Sequence, residues 1–240
     1  MKISSKNLSK KLKHKTLDEY YLNSYQKLFY EKSILSSGIS YSHKQLEKIF
    51  NDKTPNFVLE IGGGNGEHLP YVRHVPSEKY ISLDLVTPKS KIYTEMISVE
   101  LLNKLKFVKG NSEELKYKNS TFDRILVTCV LAHVDDVMAV LFEIKRVAKK
   151  GAEIGILLPT DPGILNRLIK TFITYRKLKK TMSVSPKFIN ALEHKNHISA
   201  ILEQISYVFS SDDLRFTYKP FGLFKSWNFN VLIVAKITII

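Results

Sequence analysis

From residue 56 to 158 the chain alternates short apolar runs with longer stretches whose apolar positions recur at helical spacing. The runs predict strands over 57–61, 80–84, 105–108, 122–128 and 152–158. The stretches between them predict helices over 66–74, 89–103 and 134–149, with a short turn near 112–116. Such alternation builds a parallel sheet covered by helices on both faces, an α/β fold of the doubly wound kind. Lys149-Lys150-Gly151 reads as a helix stop, with cations at the negative end of the dipole and glycine past it.

Upstream, Leu17, Tyr21, Leu22, Tyr25, Leu28 and Phe29 share one helix face. Ser36-Ser37-Gly38 breaks that pattern before a second helix near Ser42 to Phe50, and Asn51-Asp52-Lys53-Thr54-Pro55 closes it. Beyond 158 the rhythm changes. Residues 162–210 read as mostly helical, in two pieces split near Ser183-Val184-Ser185-Pro186. Strands over 214–220 and 228–237 follow, close enough in sequence to pair antiparallel. The expected organisation is a basic N-terminus over 1–17 and a single domain over 18–240. That domain comprises N-terminal helices (18–55), a core (56–160), a helical insertion (161–212) and a closing strand pair (213–240).

Composition narrows this only a little. A chain of 240 residues, 44% hydrophobic and 25% charged, fits one large globular domain. The single Cys129 excludes a disulfide framework and a cysteine-rich metal site, and fits a reducing, cytoplasmic setting. No apolar h-region follows the basic start, and no apolar run approaches the roughly 18 residues that span a bilayer. The net charge of +14 is more telling, because it is concentrated. Residues 1–17 hold six lysines and no acid, and residues 162–192 hold seven bases and no acid, so the remainder is close to neutral. Patches of this kind suit a polyanion or an anionic membrane surface, unless they are simply solvated lysine-rich faces.

The densest chemistry lies in Val58-Leu59-Glu60-Ile61-Gly62-Gly63-Gly64-Asn65-Gly66. Glycine tolerates φ > 0 and lets a ligand approach the main chain closely. A helix starting directly afterwards would aim its free N–H groups at the same crevice. Glu60 sets this run apart from a phosphate loop: a carboxylate repels phosphate but suits an ammonium or sulfonium group. The spacing Gly62-x-Gly64-x-Gly66 also differs from the G-x-G-x-x-G of dinucleotide folds, although Asp84 ends the second strand at a comparable distance.

Five segments in order resemble one family. Glu60-Ile61-Gly62-Gly63-Gly64-Asn65-Gly66 and Tyr80-Ile81-Ser82-Leu83-Asp84 are similar to its first two motifs. Gly110-Asn111-Ser112-Glu113-Glu114-Leu115 is similar to G-D-A-E-x-L. Phe122-Asp123-Arg124-Ile125 through Val130-Leu131-Ala132-His133-Val134-Asp135-Asp136 resembles F-D-x-I … V-L-x-H-x-x-D. Glu143 through Gly151 looks like the turn E-x-x-R-V-L-K-P-G into strand five. The chain thus resembles the class I S-adenosylmethionine-dependent methyltransferases of the type 11-like, UbiE-like kind over roughly residues 56–160. The resemblance implies a Rossmann-like seven-stranded sheet of order 3-2-1-4-5-7-6 with an antiparallel last strand, and residues 161–212 as a lid.

It also implies roles. Glu60 would help hold the ammonium end of S-adenosylmethionine, and the backbone at Gly62, Gly63, Gly64 and Gly66 would pass beneath that cofactor. Asp84, with Leu85 beside it, would accept the ribose hydroxyls, a task suited to two acceptor oxygens. Asn111 stands where the family usually carries an aspartate toward the adenine amine, and Ser112 would offer a backbone N–H to the adenine edge. Thr128 and Cys129 would line the methionine side. Asp123 is expected to be structural, and Asp135 and Asp136 to cap a helix.

Methyl transfer mainly requires alignment and exclusion of water, and a base only where the acceptor carries a proton to lose. His133, just past strand four, is the candidate base, with a packed loop histidine as the alternative. Glu193-His194-Lys195-Asn196-His197 supplies the second pair: His194 and His197 are expected i,i+3 on one helix face. A third ligand is missing, so no metal site is expected. Tyr20, Tyr21, Tyr25, Tyr30, Tyr41 and His43 would cover the cofactor or pack as core aromatics. Three readings remain. The first is methyl transfer to an oxygen or nitrogen of a small-molecule or cell-envelope acceptor (a sugar, lipid-linked glycan or quinone-like molecule), leaving S-adenosylhomocysteine. The second is RNA methylation through the basic segments, ranked lower because no RNA-binding module or N/D-P-P-Y/F/W signature is present. The third is non-catalytic adenosyl or partner binding. The basic amphipathic stretch 164–180 could also rest on an anionic membrane, at the inner face.

Overall fold

Residues in the central strands sort alternately into two cores. Along β1 (Phe57–Ile61), Leu59 and Ile61 join Ile125, Val127, Ile154 and Ile156 on one face of the sheet. Val58 joins Tyr80, Leu126 and Leu157 on the other. Burial on both faces explains why these strands read as continuous apolar runs. The computed structural model describes residues 34–86, 88, 96–179 and 184–240.

The remaining strands are β2 (Lys79–Asp84), β3 (Leu105–Lys109), β4 (Phe122–Thr128), β5 (Ala148–Pro159), β6 (Asp213–Lys219) and β7 (Leu232–Thr238). They hydrogen-bond in the order β3-β2-β1-β4-β5-β7-β6. Strands β1 to β5 run parallel, and β7 is antiparallel to both β5 and β6. The fold is therefore the expected Rossmann-like sheet. Its order reverses between β1 and β4, and in such sheets ligands bind outside the carboxyl ends at that point.

Helix α1 (Ile34–Glu47) covers the face carrying Val58 through Leu46, with Phe50 just beyond its end. It runs straight through Gly38, where a break was expected. A glycine in a helix interior costs only about 1 kcal/mol, less than the burial of Leu46 and Phe50 returns. Helix α2 (Val99–Lys104) is capped by the Ser98 side chain, which accepts from Leu101 N. It starts only at Val99, after an extended Ser98, so the expected 89–103 helix is cut short; residues 89–95 lie outside the described residues, as do the expected helix before residue 34 and the basic N-terminus. Helix α3 (Val137–Val147) packs on the opposite face. Asp136 caps it through Ala139 N, the role expected of it.

No helix follows the glycines. Residues 64–68 are turns, and only a 3₁₀ turn, Leu69–Tyr71, replaces the expected 66–74 helix. Pro70 within it has no N–H to donate, so the run of helical bonds cannot propagate. The insertion is also more divided than expected: α4 (Ile164–Ile169), a π turn (Lys170–Thr174), α5 (Tyr175–Leu178), α6 (Pro186–Glu193) and α7 (Ile198–Val208). Strand β7 starts at Leu232 because Asn230 is committed to the loop before it. Its Nδ2 donates to Phe224 O at 2.7 Å and Ser226 O at 2.8 Å, and its Oδ1 accepts from Phe221 N at 2.9 Å.

Candidate active site

At the carboxyl end of β1 the chain turns through Gly62 (φ 81°), Gly64 (φ 52°) and Gly66 (φ 91°). Gly62 N donates to Leu83 O at 2.9 Å, and Gly66 N donates to Gly63 O at 2.7 Å. A Cβ on Gly62 would run into the Val130 side chain and come within 2.9 Å of Thr128 O. Thr128 Oγ1 donates to Gly62 O at 2.7 Å, which ties the loop to the end of β4. Asp84 reaches across from β2: its Oδ2 accepts from Gly64 N at 3.0 Å and its Oδ1 from Val86 N at 3.1 Å. Each oxygen keeps a further lone pair for a ligand hydroxyl.

Beneath this loop Glu60 is only 1% exposed. Its Oε2 accepts from Tyr80 OH at 3.2 Å, and its Oε1 has no hydrogen-bond partner. Burial holds the Glu60 carboxyl above the usual range. A buried carboxylate with a vacant oxygen is costly unless a cation compensates it, so the residue fits a ligand ammonium. Behind it lies a chain of buried polar groups from α1: Glu47 Oε1 pairs with His68 Nε2 at 2.9 Å, and His68 Nδ1 meets His43 Nδ1 at 3.0 Å. Burial, then the neighbouring His68, pushes His43 down to about 3.

On the β2–β3 side, Leu85 is largely exposed, whereas Ser112 is buried. Asn111 Oδ1 accepts from Glu113 N at 3.0 Å. At the end of β4, Cys129 sits at φ 57°, and burial pushes its thiol up to about 12. It is therefore a packing group at neutral pH. Asp123 accepts from Phe57 N and pairs with Lys149, the structural part expected of it.

The carboxyl ends of β4 and β5 carry a second polar group. His133 Nδ1 donates to Glu193 O at 2.9 Å. The His194 ring stands edge-on to the His133 ring, with centroids 5.0 Å apart. His194 Nδ1 bonds Asp161 Oδ2 at 2.6 Å, and the same oxygen takes Asn190 Nδ2 at 2.9 Å and Lys170 Nζ at 2.9 Å. Burial works against the Asp161 charge, but His194, Lys170 and Asn190 together hold its carboxyl well below the usual range. His133 is lowered to about 4, first by burial and then by His194. Helix α6 ends at Glu193, so residues 194–197 form a loop and not the expected helix face. It is clasped by Lys195 N to Ala132 O at 2.8 Å and by Asn196 Nδ2 to Leu131 O and Val134 O. The loop turns His197 outward, exposed at the start of α7, while His194 faces His133. Asp161, Lys170 and Asn190 carried no local signal: each comes from a different segment, and no motif spans them. Among the described residues no group of three or more His, Cys, Asp or Glu is placed to hold a metal ion.

The glycine loop, Asp84 and Glu60 thus gather at the switch point of a Rossmann-like α/β sheet. Comparison with known proteins agrees: residues 59–156 match the methyltransferase domain family. The demethylmenaquinone methyltransferase of Oceanobacillus iheyensis is 27% identical over 64% of this chain and 66% of its own length. That of Bacillus cereus is 23% identical over 59% and 62%. The match thus spans just under two thirds of these relatives. A SAM-dependent methyltransferase structure from Aquifex aeolicus superposes with a TM-score of 0.52 at 15% identity, covering 94% of this chain and 98% of that one. Over residues 59–156 the chain is thus similar to methyltransferase domains, which take S-adenosylmethionine as cofactor.

Proposed function

We propose that the chain is an S-adenosylmethionine-dependent methyltransferase acting on an oxygen or nitrogen of a small-molecule or cell-envelope acceptor. The observation that carries this reading is the buried Glu60 carboxylate with its vacant Oε1 beneath glycines that Asp84 braces. When bound, the cofactor supplies a methyl group on a sulfonium. Glu60 would hold its ammonium end, Asp84 its ribose, and Ser112 and Asn111 its adenine edge. The bare Gly62 makes room for the Val130 side chain, and Thr128 ties the loop to the end of β4. The acceptor would enter over β4 and β5, where the two histidines stand.

The names of the two relatives favour a quinone-like acceptor among those considered, and the surface supports an amphipathic one. Ile164, Leu168 and Phe172 are exposed along α4 and the π turn, and Leu223 is 96% exposed in the β6–β7 connection. The two segments meet through Leu165 N and Asn228 O at 2.9 Å. Neither 162–192 nor 214–240 contains an acidic residue. Apolar side chains among bases suit the inner face of an anionic membrane.

Titration calorimetry with S-adenosylhomocysteine tests the central reading, and absence of binding by the wild type would sink it. Incubation of labelled cofactor with fractionated extract then locates the acceptor. Label in lipid or a small organic fraction supports the acceptor class, and label in RNA overturns it.

A further inference from the structure

We infer that Asp161 and His194 form a proton-accepting pair and that the methyl acceptor is therefore a hydroxyl; this rests on the methyltransferase reading above. A carboxylate can only accept, so the 2.6 Å bond to Asp161 Oδ2 requires the proton on His194 Nδ1. The Glu193 carbonyl fixes His133 in the same tautomer. Both rings then present Nε2 as a bare acceptor. The two differ in what would stabilise the charged form. Asp161 sits directly behind His194, whereas a main-chain carbonyl sits behind His133, which burial already holds neutral down to about pH 4. His194 is the base and Asp161 the positioning residue.

The surroundings select the acceptor. Lys170 Nζ is also on Asp161 Oδ2, at 2.9 Å, and donates to Asn190 Oδ1 at 2.6 Å. The π turn that starts at Lys170 sets this cation over the group. Asp161 is spent on three donors, and Glu193 lies 3.6 Å from His133. A cationic amine would meet Lys170 without a carboxylate of its own, while a neutral hydroxyl meets an acceptor nitrogen. In the reaction the acceptor O–H bond breaks and its proton passes to His194 Nε2. The oxygen pair forms the O–C bond to the methyl group, the methyl–sulfur pair stays on sulfur as a neutral thioether, and the imidazolium later returns its proton to water.

The test uses the full chain as wild type, Asp161→Asn and His194→Gln. Histidine ¹⁵N NMR with S-adenosylhomocysteine bound reads the tautomer without turnover. His194 is expected protonated on Nδ1, and Asp161→Asn should redistribute that proton between the nitrogens. Labelled S-adenosylmethionine with 1,4-dihydroxynaphthalene or 1-(aminomethyl)naphthalene, a cation at neutral pH, reads the acceptor class, with mass spectrometry locating the methyl group on oxygen, nitrogen or carbon. Label is expected in the diol, falling about 10²-fold or more in His194→Gln. The rise of kcat with pH should vanish in that variant, and Asp161→Asn should lower kcat with KM unchanged. A His194 proton on Nε2, a rate indifferent to His194→Gln, or label in the amine alone or in neither probe overturns the inference. Loss of S-adenosylhomocysteine binding by the wild type would instead overturn the methyltransferase reading itself.

Discussion

The two ends of the site are built by opposite strategies. At β1 and β2 the proposed cofactor side is mostly main chain: three glycines at positive φ, held in shape by Asp84 and Thr128 and underlain by one carboxylate. At β4 and β5 the proposed acceptor side is nearly all side chain, with His133, Asp161, Lys170 and the α6 pair Asn190 and His194 converging from four segments. A cofactor that never changes can be met by fixed backbone geometry. An acceptor that differs between enzymes is met by replaceable side chains on a rigid frame.

The sharpest way to break the cofactor side is to give its backbone a side chain. Gly62→Ala places a Cβ against Val130 and Thr128 O at a φ of 81° that L residues rarely adopt. S-adenosylhomocysteine affinity should fall by about 100-fold or more, since misplacing a site by about 1 Å costs that much; unchanged calorimetry would refute the cradle. Asp84→Ala comes next. It removes charge-assisted bonds worth about 1.5–3 kcal/mol, so affinity should drop roughly ten- to hundredfold, and equal affinity would remove the ribose assignment.

A smaller effect separates the two ends by pH. Burial raises the Glu60 pKa above the usual carboxyl value. An ammonium ligand favours the ionised form, so binding should expel a proton and weaken as pH falls through the raised pKa. Calorimetry in buffers of different ionisation enthalpy reads that proton, and Glu60→Gln should abolish it. The smallest effect is on the acceptor side. His133 titrates near 4 in the fold against an ordinary 6.5, so unfolding takes up a proton between those values. Stability is lost as pH falls from about 6.5 through about 4. His133→Asn should flatten that limb of a melting-temperature profile, and an unchanged slope would place the titrating group elsewhere, His43 being the next candidate.

Much of this was legible in the chain, for definite reasons. The strands were readable because burial on both faces leaves Ile125–Val127 uniformly apolar, and Val58, Leu59 and Ile61 apolar around the single Glu60. The glycine loop and Asp84 were readable because each lies at one place in sequence. Other expectations failed, some on local chemistry and some on contacts that outweighed it. Helix α1 crosses Gly38 because Leu46 and Phe50 anchor it, Pro70 stops a helix that the apolar spacing favoured, and Asn230 holds residues 228–231 out of β7. His194 and His197 were expected side by side. The bonds from residues 195 and 196 to the β4 loop unwind that segment and separate them.

The sequence by itself determined the sheet, the glycine loop and the carboxylate beneath it, because each depends on residue types at fixed short spacing. Tertiary structure alone decided that Asp161 stands behind His194, that Lys170 and Asn190 share its carboxylate, and that His197 faces away. Those contacts join residues tens of positions apart, and only the packing of α4, α6 and their loops over the ends of β4 and β5 brings them within hydrogen-bond reach.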